Sequence, residues 1–162
     1  MSTDTSSSDT TTDNSRVVLV TGARRGIGAA LAVGLATPGA TVAIHHLAAP
    51  NEAGDVAEQC RAAGAASFVV EADLAQYDGV NGLVRAVHDT AGPVDVLVNN
   101  AATPSNAGWA ELRLDEWNET IAVNLTAPLL LAQTLLPAMV RAGWGRIVNI
   151  TSATVVLGGP SG

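Results

Sequence analysis

The run Thr21-Gly22-Ala23-Arg24-Arg25-Gly26-Ile27-Gly28 sets glycines and two adjacent arginines into one short turn. Glycine leaves the backbone open to close approach. The N–H groups and positive dipole end of a following helix then attract phosphate oxygens. A glycine turn alone is weak evidence, but this one follows the apolar run Val17 to Val20 and opens a helical pattern. That is the setting in which a phosphate cradle works. Further polar residues stand just beyond later apolar runs: His45 and His46, Asp73, Asn99 and Asn100, and Ser152. Asn124 sits inside the longest apolar stretch. Such residues suit hydrogen bonding to a bound molecule or to a polarised carbonyl.

The elements that must position them follow from the periodicity. Val17 to Val20 reads as a strand buried on both faces. A helix with Ile27, Leu31 and Leu35 on one face follows, ended by Pro38-Gly39, and Thr41 to Ile44 makes a second strand. A helix from Glu52 to Ala63 closes at Gly64, and Ser67 to Val70 is a third strand. Val80 to Ala91 is amphipathic, with Val80, Leu83, Val84, Val87 and Ala91 facing inward. Val94 to Val98 forms a fourth strand, and a looser stretch carries Trp109 and Trp117. A long apolar helix runs from Val123 to Arg141, and Ile147 to Ile150 makes a fifth strand. Strands alternating with helices predict an α/β fold, a doubly wound parallel sheet in three layers. One domain is expected, spanning residues 16–162 behind a disordered polar tail over residues 1–15.

This context makes the glycine turn a Rossmann-type dinucleotide loop. In such folds an acid at the end of the second strand bonds the ribose hydroxyls and repels a 2′-phosphate. Here the strand ends Ile44-His45-His46-Leu47, with no acid. Arg25, just before Gly26, resembles the basic residue found there in NADP-preferring dinucleotide-binding proteins, and its planar fork donates two hydrogen bonds at once, so NADP(H) is favoured over NAD(H). His46 is either close to the 2′-phosphate or a solvated strand-end residue, and both readings stay open.

The spacing TGARRGIG resembles the TGxxxGxG motif of the short-chain dehydrogenase/reductase (SDR) family, and further matches follow in order. Asp73-Leu74 resembles the aspartate that contacts adenine. Asn99-Asn100-Ala101-Ala102 is similar to NNAG, with alanine in place of the last glycine. Asn124 resembles the asparagine of the long helix, and Ile150-Thr151-Ser152 the segment with the catalytic serine. The resemblance implies an oxidoreductase that moves a hydride between NADP(H) and a carbonyl or alcohol. Its cofactor residues are Thr21, Gly22, Arg24, Arg25, Gly26, Ile27, Gly28, His46, Asp73, Leu74, Asn100, Ala101 and Ala102. Ser152 would position the carbonyl and Asn124 would order a water relay. Among such enzymes the 3-oxoacyl carrier-protein reductases are the expected kind, by their frequency alone.

The family's proton donor is a tyrosine in a YxxxK motif beyond the serine. The sequence ends at Gly162 without that motif, holds no lysine, and has Tyr77 as its one tyrosine, expected in a loop before a helix. As written, the chain is therefore expected to be inactive. It is read as a piece of a working enzyme, as a non-catalytic dinucleotide-binding module, or as a pseudogene product. The family's later strands would lie past Gly162, leaving the fifth strand an exposed edge. The helix around Leu125 to Val140 is apolar on nearly every face, so a homo-oligomer through it is expected.

Composition removes other classes. The formal charge is −7 and all eight basic residues are arginines, with Arg24-Arg25 the only adjacent pair, so no nucleic-acid surface is expected. Cys60 is alone, which forbids an internal disulfide and fits a reducing, cytoplasmic setting. No metal site is expected. Ile121 to Val140 approaches membrane length but contains Asn124, Pro128, Gln133 and Pro137, and is read as a buried helix of a soluble protein. Residues 1–15 lack the basic start and apolar centre of a signal peptide.

Overall fold

A computed structural model describes residues 15–103, 107–108 and 110–152. Five strands form one sheet in the order β3-β2-β1-β4-β5, every neighbouring pair parallel. They are β1 (Val17–Val20), β2 (Thr41–His46), β3 (Ala66–Glu71), β4 (Val96–Asn99) and β5 (Arg146–Asn149). Parallel neighbours cannot be joined by tight hairpins and need crossovers. The helices α1 (Gly26–Gly34), α2 (Pro50–Ala62), α3 (Tyr77–Ala91), α4 (Leu114–Ile121) and α5 (Ala127–Arg141) supply them. This is the doubly wound, three-layer α/β/α architecture that the alternating pattern predicts.

The two faces of β1 separate by the strand period. Val18 and Val20 join Val42, Ile44 and Val98 beneath α1 and α2, with Ala32, Ala53, Val56, Ala57 and Cys60 above them. Val17 and Leu19 join Ala43 and Leu97 on the other face, against Val80, Leu83 and Val87 of α3 and Leu131, Leu135 and Met139 of α5. Leu19, Ile44, Leu83, Leu97 and Leu131 lose all contact with water. Each such burial stabilises the fold by roughly 1.5–3 kcal/mol.

Several sequence expectations change. On α1 the buried positions are Gly28 and Ala32, while Ile27 is 63% exposed and Leu31 and Leu35 are only half-buried. Small residues let this helix lie close to the sheet, which the larger ones would prevent. Trp117 belongs to helix α4 rather than to a loose stretch, and Trp109 lies outside the described residues. Asp115 and Glu116 in the first turn of α4 complement its dipole, a signal the apolar pattern hides. Tyr77 starts α3 instead of preceding it, and is 65% exposed.

The long apolar helix begins earlier than expected, at Leu114, and runs to Arg141 through a π-helical turn at Ala122–Thr126. It is not the buried helix that the sequence predicts. Ala127, Leu131, Leu135 and Met139 form its single buried stripe, and Leu125, Leu129, Leu136 and Val140 stand in the open. By length and composition alone it is able to cross a membrane. The buried stripe, however, packs it on α3 and the sheet. β5 lies at one end of the sheet, bonded to β4, with Val148 43% exposed.

Candidate functional site

In a parallel sheet all carboxyl ends lie along one edge. The residues after β1 (Thr21 to Gly28), at the end of β2 (His45, His46), after β3 (Asp73), after β4 (Asn100 to Ala102) and after β5 (Ser152) therefore share that edge. The order reverses between β1 and β4, and a crevice opens at such a switch point. Here it is a cleft of about 510 Å3. Gly22, Arg24, Arg25, Gly26, Ile27 and Gly28 form one wall, His45, His46 and Leu47 a second, Ala72, Asp73 and Leu74 a third, and Asn100, Ala101, Ala102 and Thr103 a fourth. Glu119 and Val123 reach it from α4 and the π-helical turn.

The glycine turn is built by constraint. Gly22 has φ +62°, and a Cβ there would stand 2.7 Å from the Ala101 Cα. Gly28 is the first buried residue of α1, and a Cβ on it would stand 2.5 Å from the Gly22 carbonyl oxygen and collide with the Asn100 amide. α1 opens without a side-chain cap, so its first N–H groups meet no side-chain acceptor of their own. An uncapped helix start of this kind has the chemistry to receive an anion, and Arg25 is exposed beside it.

Thr21 is the one expected cofactor residue that does not line the cleft. It is buried, and its hydroxyl donates to the Val98 carbonyl (3.2 Å) while accepting the Asn100 and Ala101 N–H groups (both 3.0 Å). The Asn100 amide in turn donates to the Thr21 and Gly22 carbonyls, both at 3.0 Å. The loops after β1 and β4 are thus stitched together from both sides. Asn99 donates to the Asn149 side chain at 2.9 Å, and its own buried Oδ1 has no partner among the described residues.

Arg24 and Arg25 differ in state. Arg24 is held by Glu52 of α2 at 2.5 Å, whereas Arg25 is exposed. Asp73 accepts the Ala75 N–H at 2.9 Å, which fixes the turn into α3. His46 is not a solvated strand-end residue. It is 2% exposed, its Nδ1 accepts the Ala49 N–H at 3.1 Å, and the Glu71 carboxylate lies 4.0 Å away. His45, which the motif reading passed over, is buried as well. Its Nδ1 accepts the Gly22 N–H at 3.1 Å, and its Nε2 lies 3.1 Å from the Ala72 carbonyl. Burial, with His46 nearby adding to it, pushes its pKa below the ordinary imidazole value, against a smaller opposing effect of the bond to Ala72. Two backbone partners were the missing signal, and no sequence spacing announces them.

The two expected catalytic residues are not among those lining the cleft. Asn124 sits in the π-helical turn, a distortion frequent at functional sites. Its amide accepts the Thr103 N–H at 2.9 Å and donates to the Thr103 carbonyl at 3.2 Å, tying the loop after β4 to the helix. Ser152 is exposed just beyond β5. Tyr77, at the head of α3, does not line the cleft either. Among the described residues no cluster of His, Cys, Asp or Glu could hold a metal ion.

Comparison with known proteins bears on this geometry. The short chain dehydrogenase family pattern matches residues 16–162. A 3-oxoacyl-[acyl-carrier-protein] reductase of Staphylococcus epidermidis is 37% identical over 142 residues, which are 88% of this chain and 58% of that protein. The corresponding reductase of a Synechocystis species is 35% identical over 145 residues, 90% of this chain and 59% of its own length. The chain thus spans somewhat more than half the length of these relatives. Among solved structures, a metagenomic short-chain oxidoreductase in complex with NADP superposes with a TM-score of 0.79 at 38% identity, over 85% of this chain and 61% of that one. A 3-oxoacyl (acyl-carrier-protein) reductase of Agrobacterium tumefaciens with NADP bound gives 0.79 at 37% identity, over 86% and 53%.

Proposed function

Since the chain belongs to the short-chain dehydrogenase family, matched over residues 16–162, we propose that its cleft binds NADP(H) for hydride exchange with a carbonyl or alcohol. The observation that carries this is the cleft at the β1/β4 switch point, walled by the glycine turn and by the residues after β2, β3 and β4. The fit is physical. The Gly22 and Gly28 positions leave a cradle that any Cβ would close, and the first N–H groups of α1 and the exposed Arg25 offer positive charge to phosphates.

In this reading Gly22 to Gly28 hold the pyrophosphate, Arg25 takes the 2′-phosphate, Asp73 and Leu74 face the adenine, and Asn100 to Ala102 flank the nicotinamide ribose. His46 at the end of β2 supports the preference for NADP(H), since it offers no carboxylate to repel a 2′-phosphate. Glu71 pairs with His46 across β2 and β3, its carboxylate 4.0 Å from the His46 ring, and that acid is the feature that would limit the preference. When bound, the nicotinamide supplies or accepts the hydride. This chain's own residues bind, orient and exclude water. Asn124 acts here by fixing Thr103 at the cleft wall, and Ser152 would meet the carbonyl from the β5 side of the sheet edge.

The substrate reading follows the relatives: a 3-oxoacyl thioester is the first to try, because three of the proteins compared are reductases of that class. These 162 residues contain no lysine, and Tyr77 does not line the cleft. The chain by itself should therefore bind NADPH without reducing a carbonyl, and reduction should need a tuned proton donor carried on further residues. A fluorescence titration with NADPH and NADH tests the first part. Tighter binding of NADPH, with the difference shrinking in Arg25→Ala, supports the reading. Equal affinities in both proteins would remove Arg25 from it, and no binding of either would remove the dinucleotide. A 3-oxoacyl thioester reductase assay tests the second part.

A further inference from the structure

We infer that His45 is a positioning residue of the cleft, a neutral imidazole strut that holds the glycine turn and the β3 wall at a fixed separation. This rests on the dinucleotide reading above, but its geometry stands by itself. The Gly22 N–H can only donate, so the Nδ1 atom 3.1 Å from it must be bare. The Ala72 carbonyl can only accept, so the Nε2 atom 3.1 Å from it must carry the proton. The two backbone partners therefore set a single neutral tautomer from opposite sides.

The strut joins the parts that matter. Gly22 is the left-handed glycine at the mouth of the phosphate loop, and Ala72 immediately precedes Asp73. Both flank the cleft. The main chain of His45 adds a third tie, since its carbonyl accepts the Ala23 N–H at 2.9 Å. The ring is buried, so water does not compete for these bonds. A second proton on Nδ1 would turn the acceptor into a donor aimed at another donor. The charged or titratable groups on the surrounding elements are His46 on β2, Glu71 on β3, Asp73 after it, Arg24 and Arg25 on the glycine turn, and Asp78 at the head of α3.

Two variants separate a strut from simple packing. His45→Gln keeps one acceptor and one donor on a side chain without a titrating ring, and His45→Leu keeps bulk and loses both. NADPH affinity measured by fluorescence should stay within about threefold of the parent in the glutamine variant and fall about tenfold or more in the leucine variant. Trypsin cleavage after Arg24 and Arg25 should accelerate in the leucine variant only. This second measurement needs no dinucleotide, so it still judges the strut if the parent protein proves not to bind NADPH. Nitrogen-resolved NMR of the parent protein should show Nδ1 bare and Nε2 protonated at neutral pH. A proton on Nδ1, or a leucine variant that binds and resists trypsin like the parent, overturns the proposal. Should the leucine variant not fold, the tautomer and the glutamine variant decide it.

Discussion

Replacing Thr21 with valine swaps a hydroxyl for a methyl of nearly the same shape, so packing is preserved and only hydrogen bonding changes. In the protein that hydroxyl serves three bonds at the junction of β1 and β4: one to the Val98 carbonyl and one from each of the Asn100 and Ala101 N–H groups. A buried donor left without a partner costs roughly 1–3 kcal/mol, so two of them set a ceiling of about 6 kcal/mol. Asn100 and Ala101 are only half-buried, which lets water recover part of the loss. The expected destabilisation of Thr21→Val is therefore about 2–3 kcal/mol. Thr21→Ser keeps the hydroxyl and removes one methyl, for about 1 kcal/mol. Urea unfolding followed by circular dichroism gives both values, and hydrogen exchange at Asn100 and Ala101 should speed up in the valine variant alone. If serine proves more damaging than valine, the methyl rather than the hydroxyl holds this junction and the stitching argument is wrong.

Other consequences follow from the same geometry. Gly28→Ala must push the added methyl into the Gly22 carbonyl and the Asn100 amide, so it should cost about 2 kcal/mol or more and abolish NADPH binding. Gly82→Ala, in the exposed middle of α3 with open space around it, should instead stabilise by about 0.5–1 kcal/mol; thermal melts of the two variants give the contrast. Burial pushes the Cys60 thiol pKa up, with the nearby Arg61 charge partly opposing. Its reaction with a thiol reagent at neutral pH should therefore be slow in the native protein and fast in denaturant. The pKa of His45 is lowered in the folded protein, so below the ordinary value of about 6.5 the unfolded chain binds the extra proton first. Stability is full above that pH and should fall by at most about 1.4 kcal/mol per unit as pH drops through the window down to the folded pKa. Comparing urea midpoints of the parent and His45→Gln across that range isolates the contribution.

The strand ends were legible because a parallel sheet sends every carboxyl end to one edge. Polar residues after β1, β3, β4 and β5 could therefore be grouped from spacing alone. The same reasoning failed where small residues decide the packing. On α1 the sequence shows Ile27, Leu31 and Leu35 as the apolar face, yet Gly28 and Ala32 are the ones buried, and at Gly28 the Gly22 carbonyl and the Asn100 side-chain amide leave no room for more. α4 was illegible for the opposite reason: it has no buried residue, so no apolar stripe marks it. The histidine pair shows a third limit. Both rings are buried on β2, and their roles come from partners at Gly22, Ala72 and Ala49, two of them far away in sequence. The apolar helix was legible as a helix but not in its cover, because burial depends on what stands opposite.

Nearly every bond that shapes the cleft crosses a long stretch of chain. Thr21 meets Asn100, Gly22 meets His45, His45 meets Ala72, and Thr103 meets Asn124. Thr21–Asn100 needs β1 beside β4, Gly22–His45 needs β1 beside β2, and His45–Ala72 needs β2 beside β3, so the site is a property of the assembled sheet and not of the glycine turn alone. A ligand that bridges those walls then binds only the assembled state and stabilises it by mass action, by about 2.7 kcal/mol at a hundredfold excess over its Kd. Local substitutions at the stitches should consequently lower stability and dinucleotide affinity together, whereas a change such as Gly82→Ala should move stability alone. A variant at Thr21 that loses stability but keeps its affinity would show that the cleft is set by the turn's own backbone and not by the junction beneath it.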